Sequence, residues 1–298
     1  MTQFRIGFDI GGSKVTGIAL APDGSCAAKE RWPVPADYAG LLDLLAAAVS
    51  QLTPSNGIAV GVGLGVAGVV DHAQGMMAVC KLPWLLQKPL ISDAGVRLKL
   101  PVRIANDADC FAVSEAADGA GAAYHHVFGV ILGTGAGGGQ VVGRKLTTGA
   151  NGTNGEWGHL PLPHYTPDDA PPYRCHCGQM NCMENILSGG GLVRLHERLH
   201  GQTVTAPEIA VAAKRGESTA LATLDRYYDL LARGLTTILL CVDPEVIVIG
   251  GGLKHLPGMC TAVAERIPRY CFIKVLKTAI LPAYHDDDSG VRGAAWLI

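Results

Sequence analysis

Three cysteines and one histidine have a spacing that is typical of a metal site. Fifteen residues separate His159 from Cys175, one separates Cys175 from Cys177, and four separate Cys177 from Cys182. Three thiolates and one imidazole complete a closed tetrahedral shell, so the pattern predicts a structural zinc ion that holds this loop. His176, between two of the cysteines, is an alternative fourth ligand.

Two other interpretations of these cysteines are a disulfide bond and a set of free thiols. Cys175 and Cys177 are too close in the chain for an unstrained disulfide. Three free thiols on one loop would be open to oxidation. Zinc therefore accounts best for the cluster.

Asp107 has the position expected of a general base. It follows a short predicted strand, 102–105, and begins a predicted helix, 108–116. Ligands gather at the carboxyl ends of strands in open α/β sheets, and a helix N-terminus favours an ionised carboxylate. A phosphoryl-transfer enzyme needs such a carboxylate to accept the proton of the attacking hydroxyl. Aspartate is also a preferred helix N-cap, and the spacing alone weighs both roles equally.

Two glutamates flank the cysteine cluster and are candidates for contacts to sugar hydroxyls. Glu156 and His159 are three residues apart and would share a face of one helical turn. Glu184 lies two residues after Cys182, so a metal that holds Cys182 also limits where Glu184 points. Carboxylates and imidazoles hydrogen-bond hydroxyls in fixed directions. The commoner fate of a lone glutamate is an exposed loop position.

Asp9 lies at the end of the first predicted strand, beside a glycine turn. This position suits an anchor for the magnesium of Mg-ATP through water, because Mg²⁺ gives up its waters reluctantly. An aspartate that only stabilises the turn is the alternative. Lys14, on the other side of the turn, is expected to contact either phosphate or solvent.

The elements around Asp9 predict a β-hairpin. Residues 4–10 and 15–20 form apolar strands, and Gly11 and Gly12 lie in the turn between them. A P-loop or a dinucleotide fingerprint needs a helix after its glycines, whereas a strand follows here. Backbone N–H groups at such a hairpin tip can still bind phosphate.

The second half of the chain repeats this arrangement. A strand over 127–132 is followed by the glycine-rich turn 133–139 and a returning strand over 140–142. The repetition predicts two domains of the same topology, with a boundary in the small-residue segment 118–121. The other predicted elements are helices over 37–52 and 225–240, strands over 58–70 and 246–249, and an irregular loop over 163–174.

Composition limits the classes of function. The 298 residues are 48% hydrophobic and 17% charged, with a net charge of −2, which is typical of an ordered globular protein. The absence of a basic run argues against nucleic-acid binding. Neither a signal peptide nor a stretch long enough to span a membrane is visible. Nine cysteines are an odd number for a disulfide framework, so we expect a reducing cytoplasm.

Several motifs together resemble the ROK family (repressor, open reading frame, kinase), over essentially the whole chain. Residues 9–14 (DIGGSK) are similar to its first phosphate motif, with Ser13 at the usual threonine. Residues 105–108 (ANDA) resemble the segment of its catalytic aspartate, and 132–139 (LGTGAGGG) its second phosphate motif. Residues 155–159 (GEWGH) with 175–184 (CHCGQMNCME) resemble the family signature, which is the most specific of these matches.

This resemblance implies a fold, a set of roles and a cofactor. The fold is α/β and actin-like (ribonuclease H-like), with a cleft between two lobes: residues 1–118, joined by a C-terminal helix near 286–298, and residues 119–285, with the zinc loop at 156–184. Asp107 is the implied catalytic base, and the implied substrate contacts are Gly68, Asn106, Asp107, Glu156, His159 and Glu184. The implied zinc ligands are His159, Cys175, Cys177 and Cys182. Mg-ATP is expected at Asp9, Gly11, Gly12, Ser13, Lys14, Gly133, Thr134, Gly135, Gly137, Gly138, Gly251 and Gly252.

Within the family, several stretches are similar to bacterial N-acetylglucosamine kinases, among them 109–116, 184–189, 206–209 and 242–252. The resemblance therefore implies phosphorylation of the 6-hydroxyl of N-acetylglucosamine by a cytoplasmic homodimer. A kinase for glucose, fructose, allose or N-acetylmannosamine is one alternative. A sugar-responsive regulator is another, although the first strand begins by residue 4 and leaves no room before it for a helix-turn-helix.

Three positions depart from the family pattern. Asn181 replaces a glycine before the last cysteine, and asparagine tolerates a left-handed backbone, so we expect the turn to persist. The segment before Gly68 lacks a usual proline. Lys81 stands where many members have asparagine, in a segment that lies near the sugar pocket of relatives.

Overall fold

The first sheet places the predicted hairpin beside two parallel strands. The computed structural model describes residues 1–71, 73–272 and 274–298. Strands β1 (Thr2–Ile10) and β2 (Lys14–Leu20) pair antiparallel, which confirms the hairpin and the strand after the first glycines. Strands β3 (Cys26–Pro33), β4 (Gly57–Val66) and β7 (Val102–Asn106) complete the order β3-β2-β1-β4-β7.

The parallel strands of this sheet end together. Strand β1 is a central strand between β2 and β4, and most of its residues from Phe4 onward are buried under helices on the sheet faces. Ile10 is paired with Val66, and Val66 with Asn106, so the carboxyl ends of β1, β4 and β7 are aligned. This alignment brings Asp9 and Asp107, which are 98 residues apart in the chain, to one edge of the sheet.

The predicted strand over 58–70 is divided in two, which corrects that expectation. Strand β4 ends at Val66, and a separate hairpin of β5 (Gly68–Asp71) and β6 (Met76–Cys80) follows. Gly68 has a φ of +144°, and a Cβ there would collide with the carbonyl oxygen of Val79. The chain therefore turns at a glycine that no other residue could replace without strain.

Helices pack on both faces of the first sheet. Helix α1 (Tyr38–Leu52) is capped by Asp37, which accepts the Gly40 N–H at 2.8 Å, and buries Leu41 and Leu45. Helix α2 (Leu90–Leu98) buries Leu90 and Ala94 in the same core. Helices α3 (Asp107–Asp118) and α9 (Ser289–Trp296) also belong here.

The second sheet is the centre of the other core. It contains β8 (His126–Leu132), β9 (Ala136–Val142), β10 (Lys145–Leu146), β11 (Val246–Gly250) and β12 (Ala279–Pro282), in the order β10-β9-β8-β11-β12. Strand β11 is fully buried and parallel to both of its neighbours. The helices are α4 (Met183–Leu187), α5 (Gly189–His200), α6 (Ala206–Lys214), α7 (Ser218–Val242) and α8 (Met259–Arg266). Helix α7 is longer than the predicted 225–240 because the apolar spacing continues to Ala220.

The chain divides into two compact units. The first contains residues 1–122, 139–154 and 285–298, and the second contains 123–138 and 155–284. Residues 139–154 therefore group with the first unit, which differs from the predicted division at residue 118. Among the described residues, no helix has the length and apolarity needed to cross a bilayer.

Candidate functional site

Asp107 begins helix α3 but does not cap it. The cap is Asn106, whose Oδ1 accepts the Ala108 N–H at 2.7 Å, while its Nδ2 donates to the Gly68 carbonyl at 2.6 Å. Asp107 also accepts the Ala108 N–H through Oδ1, at 3.1 Å. Because Asn106 is the N-cap of α3, the alternative that Asp107 serves only as the helix cap is wrong. Asn106 in turn ties the start of α3 to the Gly68 turn.

Two half-buried carboxylates, Asp9 and Asp107, lie close together at this sheet edge. Burial raises the pKa of Asp9 to about 6, the charge of Asp107 adds to the rise, and Lys14 opposes it. Burial also raises the pKa of Asp107, against the opposing effects of the Ala108 N–H and the Lys81 charge. The predicted effect of the helix N-terminus is thus present, but desolvation outweighs it. A carboxylate with a raised pKa is a better proton acceptor than one with an ordinary pKa.

The first glycine turn presents an open backbone. Gly11 donates its N–H to the Lys14 carbonyl at 3.0 Å, which closes the hairpin, and Ser13 and Lys14 are exposed. A Cβ at Gly12 would meet no atom within 4 Å. The tip therefore leaves room for a phosphate to approach the backbone.

Hydrogen bonds hold the second glycine turn, residues 133–139, on both of its sides. Gly133 donates to the Gly135 carbonyl at 3.0 Å, and its own carbonyl accepts the N–H of Gly189, at the start of α5, at 2.8 Å. The indole Nε1 of Trp157 donates to the Gly137 carbonyl at 2.8 Å. Thr134 at the tip is exposed, and Gly251 follows β11 with a φ of +79° beside the end of β8. Gly138 and Gly252, also predicted for nucleotide, lie in the same unit.

The predicted metal ligands converge. One ligand atom from each of His159, Cys175, Cys177 and Cys182 lies within 4.8 Å of the others. His159 Nδ1 is 3.6 Å from Cys175 Sγ, and Cys177 Sγ is 3.6 Å from Cys182 Sγ. In a tetrahedral zinc site, two thiolate sulfurs lie about 3.8 Å apart, and a thiolate sulfur lies about 3.5 Å from an imidazole nitrogen. The donor set and its spacing therefore fit a structural zinc ion.

The turn before the last cysteine of the cluster has the left-handed backbone expected from the sequence. Asn181 has a φ of +58°, the left-handed conformation expected for it, and its Oδ1 accepts the Tyr173 N–H at 3.0 Å. Among the described residues, the compact group of four contains His159 and not His176. His176 Nδ1 lies 3.1 Å from Oε1 of Glu184 and 3.7 Å from Cys175 Sγ, and His176 forms a second possible group with His159 and Glu184.

The two predicted sugar-binding glutamates border the cluster. Glu156 precedes a single 3₁₀ turn (Trp157–His159), and its Oε2 is 3.8 Å from His159 Nε2. If Nδ1 binds the metal, Nε2 is the nitrogen left for Glu156 or a ligand. Glu184 lies in α4, one residue after Met183, and its Oε2 accepts the Ala136 N–H at 3.3 Å. Glu184 thus joins the cluster to the second glycine turn.

An ion pair that the sequence analysis did not find stabilises the loop between the first and second metal ligands. Arg233, buried in α7, donates to both carboxylate oxygens of Asp169 at 2.9 Å and to the carbonyls of Pro163 and His164 at 2.8 and 2.9 Å. Arg226 pairs with the same carboxylate at 2.5 Å. Burial opposes ionisation of Asp169, but these partners lower its pKa below the usual value. A lone arginine within the apolar stretch of α7 was the available signal.

Each unit therefore holds one group of predicted site residues. The first unit contains Asp9, Gly11, Gly12, Ser13, Lys14, Gly68, Asn106 and Asp107. The second contains both glutamates, the metal cluster and the glycines near 135 and 251.

Comparison with known sequences covers nearly the whole chain. The sequence model of the ROK family matches residues 5–298. The N-acetyl-D-glucosamine kinase of Salmonella heidelberg strain SL476 is 40% identical over 296 residues, which are 98% of this chain and 98% of that protein.

Comparison with solved structures also covers nearly the whole chain. A ROK hexokinase from Thermus thermophilus superposes with a TM-score of 0.84 at 26% identity, covering 99% of this chain and 97% of its own. A ROK family glucokinase from Streptomyces griseus, solved with glucose and AMPPNP, has a TM-score of 0.77 at 27% identity and 98% coverage of both chains. The predicted fold class, α/β and actin-like, is confirmed by this likeness.

Proposed function

The chain belongs to the ROK family, and from that membership we propose that it transfers phosphate from ATP to the 6-hydroxyl of N-acetyl-D-glucosamine. The observation that carries the choice of substrate is the 40% identity to an N-acetyl-D-glucosamine kinase over 98% of both chains. The chain is an ATP-dependent sugar kinase, in agreement with relatives that include a glucokinase solved with AMPPNP.

Asp107 is the proposed catalytic base. Its Oδ1 accepts the Ala108 N–H, and the proposed role of its carboxylate is to take the proton of the attacking hydroxyl. Burial raises the pKa of Asp107, which strengthens it as a proton acceptor. Asn106 fixes the start of α3 and so the direction of this carboxylate.

Asp9 and the glycine turns are the proposed binding residues for Mg-ATP. Asp9 is half-buried beside the hairpin tip and beside Asp107, which suits a carboxylate that holds the waters of a magnesium ion. When bound, the magnesium neutralises charge that develops on the transferred phosphoryl group. The open backbone at Gly12 and the exposed Thr134 are the proposed phosphate contacts in the two units.

Glu156, His159 and Glu184 are the proposed sugar contacts of the second unit, and Gly68 and Asn106 those of the first. Zinc on His159 and the three cysteines would hold His159 directly. It would also hold Glu184 in place, because the ligand Cys182 directly precedes α4, which carries Glu184. The zinc ion has no role in phosphoryl transfer in this proposal. Lys81, whose charge reaches Asp107, is a further proposed determinant of the choice of sugar. We also propose that the enzyme is a cytoplasmic homodimer with no nucleic-acid partner.

An ATP-consumption assay against a sugar panel tests the proposal. The panel contains N-acetylglucosamine, N-acetylmannosamine, glucose, fructose and allose. We expect the highest kcat/KM with N-acetylglucosamine and a product phosphorylated at the 6-hydroxyl. A higher kcat/KM with a sugar that lacks the acetamido group would refute the proposed substrate, and sugar binding without turnover would favour a regulator.

A further inference from the structure

A pocket in the second unit lies apart from every residue proposed above for sugar, nucleotide or metal. It is a concave site that is partly open to solvent. Its walls come from the loop 169–173 and from helices α4, α5 and α7, and its apolar lining includes Ile186, Leu195 and Leu230. We call it the α5 pocket.

Two arginines of the α5 pocket form no ion pair with any described residue, and the Asp169 carboxylate in the pocket wall is already paired with Arg226 and Arg233. Arg194 and Arg198 lie one turn apart on α5 and are exposed. Within the part of the chain that the structure describes, neither guanidinium has a carboxylate oxygen within 4.0 Å. Like charges four residues apart on a helix repel each other, so a bound anion would relieve this repulsion.

The contacts that these arginines make leave donors unused. Arg194 donates to the Asn185 carbonyl and lies 5.1 Å from the centroid of the Tyr173 ring. Arg198 donates to the carbonyls of Pro167 and Asp168. A guanidinium has five N–H donors, and these hydrogen bonds use one and two of them. Both side chains are therefore held at the pocket with donors to spare.

A third donor in the pocket wall has no acceptor. The side-chain Nδ2 of Asn185 is buried and makes no hydrogen bond among the described residues. A buried amide without an acceptor is costly, and because Asn185 lines the pocket, a ligand oxygen that reaches this amide would supply one. Asn185 directly follows Glu184 in α4, so a ligand held by Asn185 acts on the helix that carries a proposed sugar contact.

We propose that the α5 pocket binds a small oxyanion, a phosphate or a carboxylate, through Arg194, Arg198 and Asn185. Planar guanidinium groups match the oxygen spacing of both anions. Occupation of the pocket fixes α4 and thereby changes the affinity of the enzyme for its sugar. The site is separate from the phosphate-binding turns, so it serves an effector.

Isothermal titration tests the site with three probes: inorganic phosphate, N-acetylglucosamine 6-phosphate and citrate, at constant ionic strength. The protein is first saturated with its sugar substrate and AMPPNP, so that the active centre is filled. We expect one saturable site per chain, and a loss of affinity of at least about tenfold in Arg194→Gln/Arg198→Gln. Tighter binding of the sugar phosphate than of inorganic phosphate identifies a product-like effector, and the reverse order identifies the free anion.

Two further variants make the result specific. Lys214→Gln/Arg215→Gln removes two exposed positive charges at the end of α6 and is expected to keep the affinity. Asn185→Asp preserves side-chain size and is expected to weaken binding, because it places a negative charge in the wall. Equal loss in the α6 variant, unchanged binding in the arginine variant, or no saturable site for any probe up to about 20 mM would overturn the proposal. The readout is binding, so it does not depend on which sugar the enzyme phosphorylates.

Discussion

The carboxylate of Glu184 lies against the backbone of Gly135. A Cβ at Gly135 would be 2.6 Å from Glu184 Oε2, closer than side-chain contacts come. The same oxygen accepts the N–H of Ala136. A side chain at this position would therefore displace the carboxylate of a glutamate that follows it by 49 residues.

Gly135→Ala is expected to displace Glu184 and to raise the dissociation constant of the sugar by about tenfold, the effect of losing one charged hydrogen bond. Sugar binding is measured by titration without nucleotide. Gly133→Ala is the matched control in the same turn, since a Cβ at Gly133 meets no atom within 4 Å, and it should keep the sugar affinity. Equal weakening in both variants would show that the contact to Glu184 is not the cause.

Asp107→Asn is expected to lower kcat by about 10² to 10⁴-fold, since an amide cannot accept the proton of the attacking hydroxyl. The amide keeps the size of the side chain, so the sugar dissociation constant should change by less than about threefold. Steady-state kinetics and titration measure the two quantities. Asp43→Asn, at an exposed carboxylate of α1, is the control and should leave both unchanged. Near-normal turnover in Asp107→Asn would exclude Asp107 as the base.

Cys177→Ser is expected to abolish zinc binding and to weaken sugar binding by at least about tenfold, while AMPPNP binding persists. Structural zinc contributes on the order of 10 kcal/mol to the folding of its loop, and that loop carries Glu156 and precedes Glu184. Metal content is measured by mass spectrometry and affinities by titration. Cys241→Ser, at an exposed cysteine of α7, should retain the metal. An unchanged sugar affinity in a variant that is demonstrably free of zinc would contradict the proposed role of the metal.

The raised pKa of the half-buried Asp9 predicts that the stability of the folded chain depends on pH. Its folded-state pKa of about 6 lies above the ordinary value of 3.8, so ionisation destabilises the folded chain. The stability contributed by the neutral carboxyl is present below about pH 3.8 and is lost as the pH rises through about 6. At 1.36 kcal/mol per pKa unit, the loss is on the order of 3 kcal/mol.

Asp9→Asn removes this cost. The difference in free energy of unfolding between this variant and the parent is therefore expected to grow between about pH 4 and pH 7 and then to level off. Urea unfolding without magnesium or nucleotide measures it at each pH. The control Asp43→Asn should show a difference below about 1 kcal/mol throughout, because its ion pair with Arg97 is exposed. A constant difference for Asp9→Asn would mean that the pKa is not raised.

The amino-acid sequence by itself determined the local structure and the residues that could bind a metal. Alternating apolar runs and glycine turns specify the hairpin of β1 and β2, because strand period and turn chemistry act over a few residues. The ligand spacing of residues 159–182 predicts the metal cluster for the same reason, since three of its four ligands lie within eight residues. The left-handed backbone of Asn181 was expected because asparagine, which tolerates it, replaces a glycine of the family pattern.

Only the tertiary structure decided which distant side chains meet. Arg233 and Asp169 are 64 residues apart, and their pairing depends on how α7 packs beside the loop. The contact between Glu184 and Gly135, the assignment of residues 139–154 to the first unit and the raised pKa of Asp9 are of the same kind. Each results from packing and burial, which bring together groups that the local pattern of residues treats as independent.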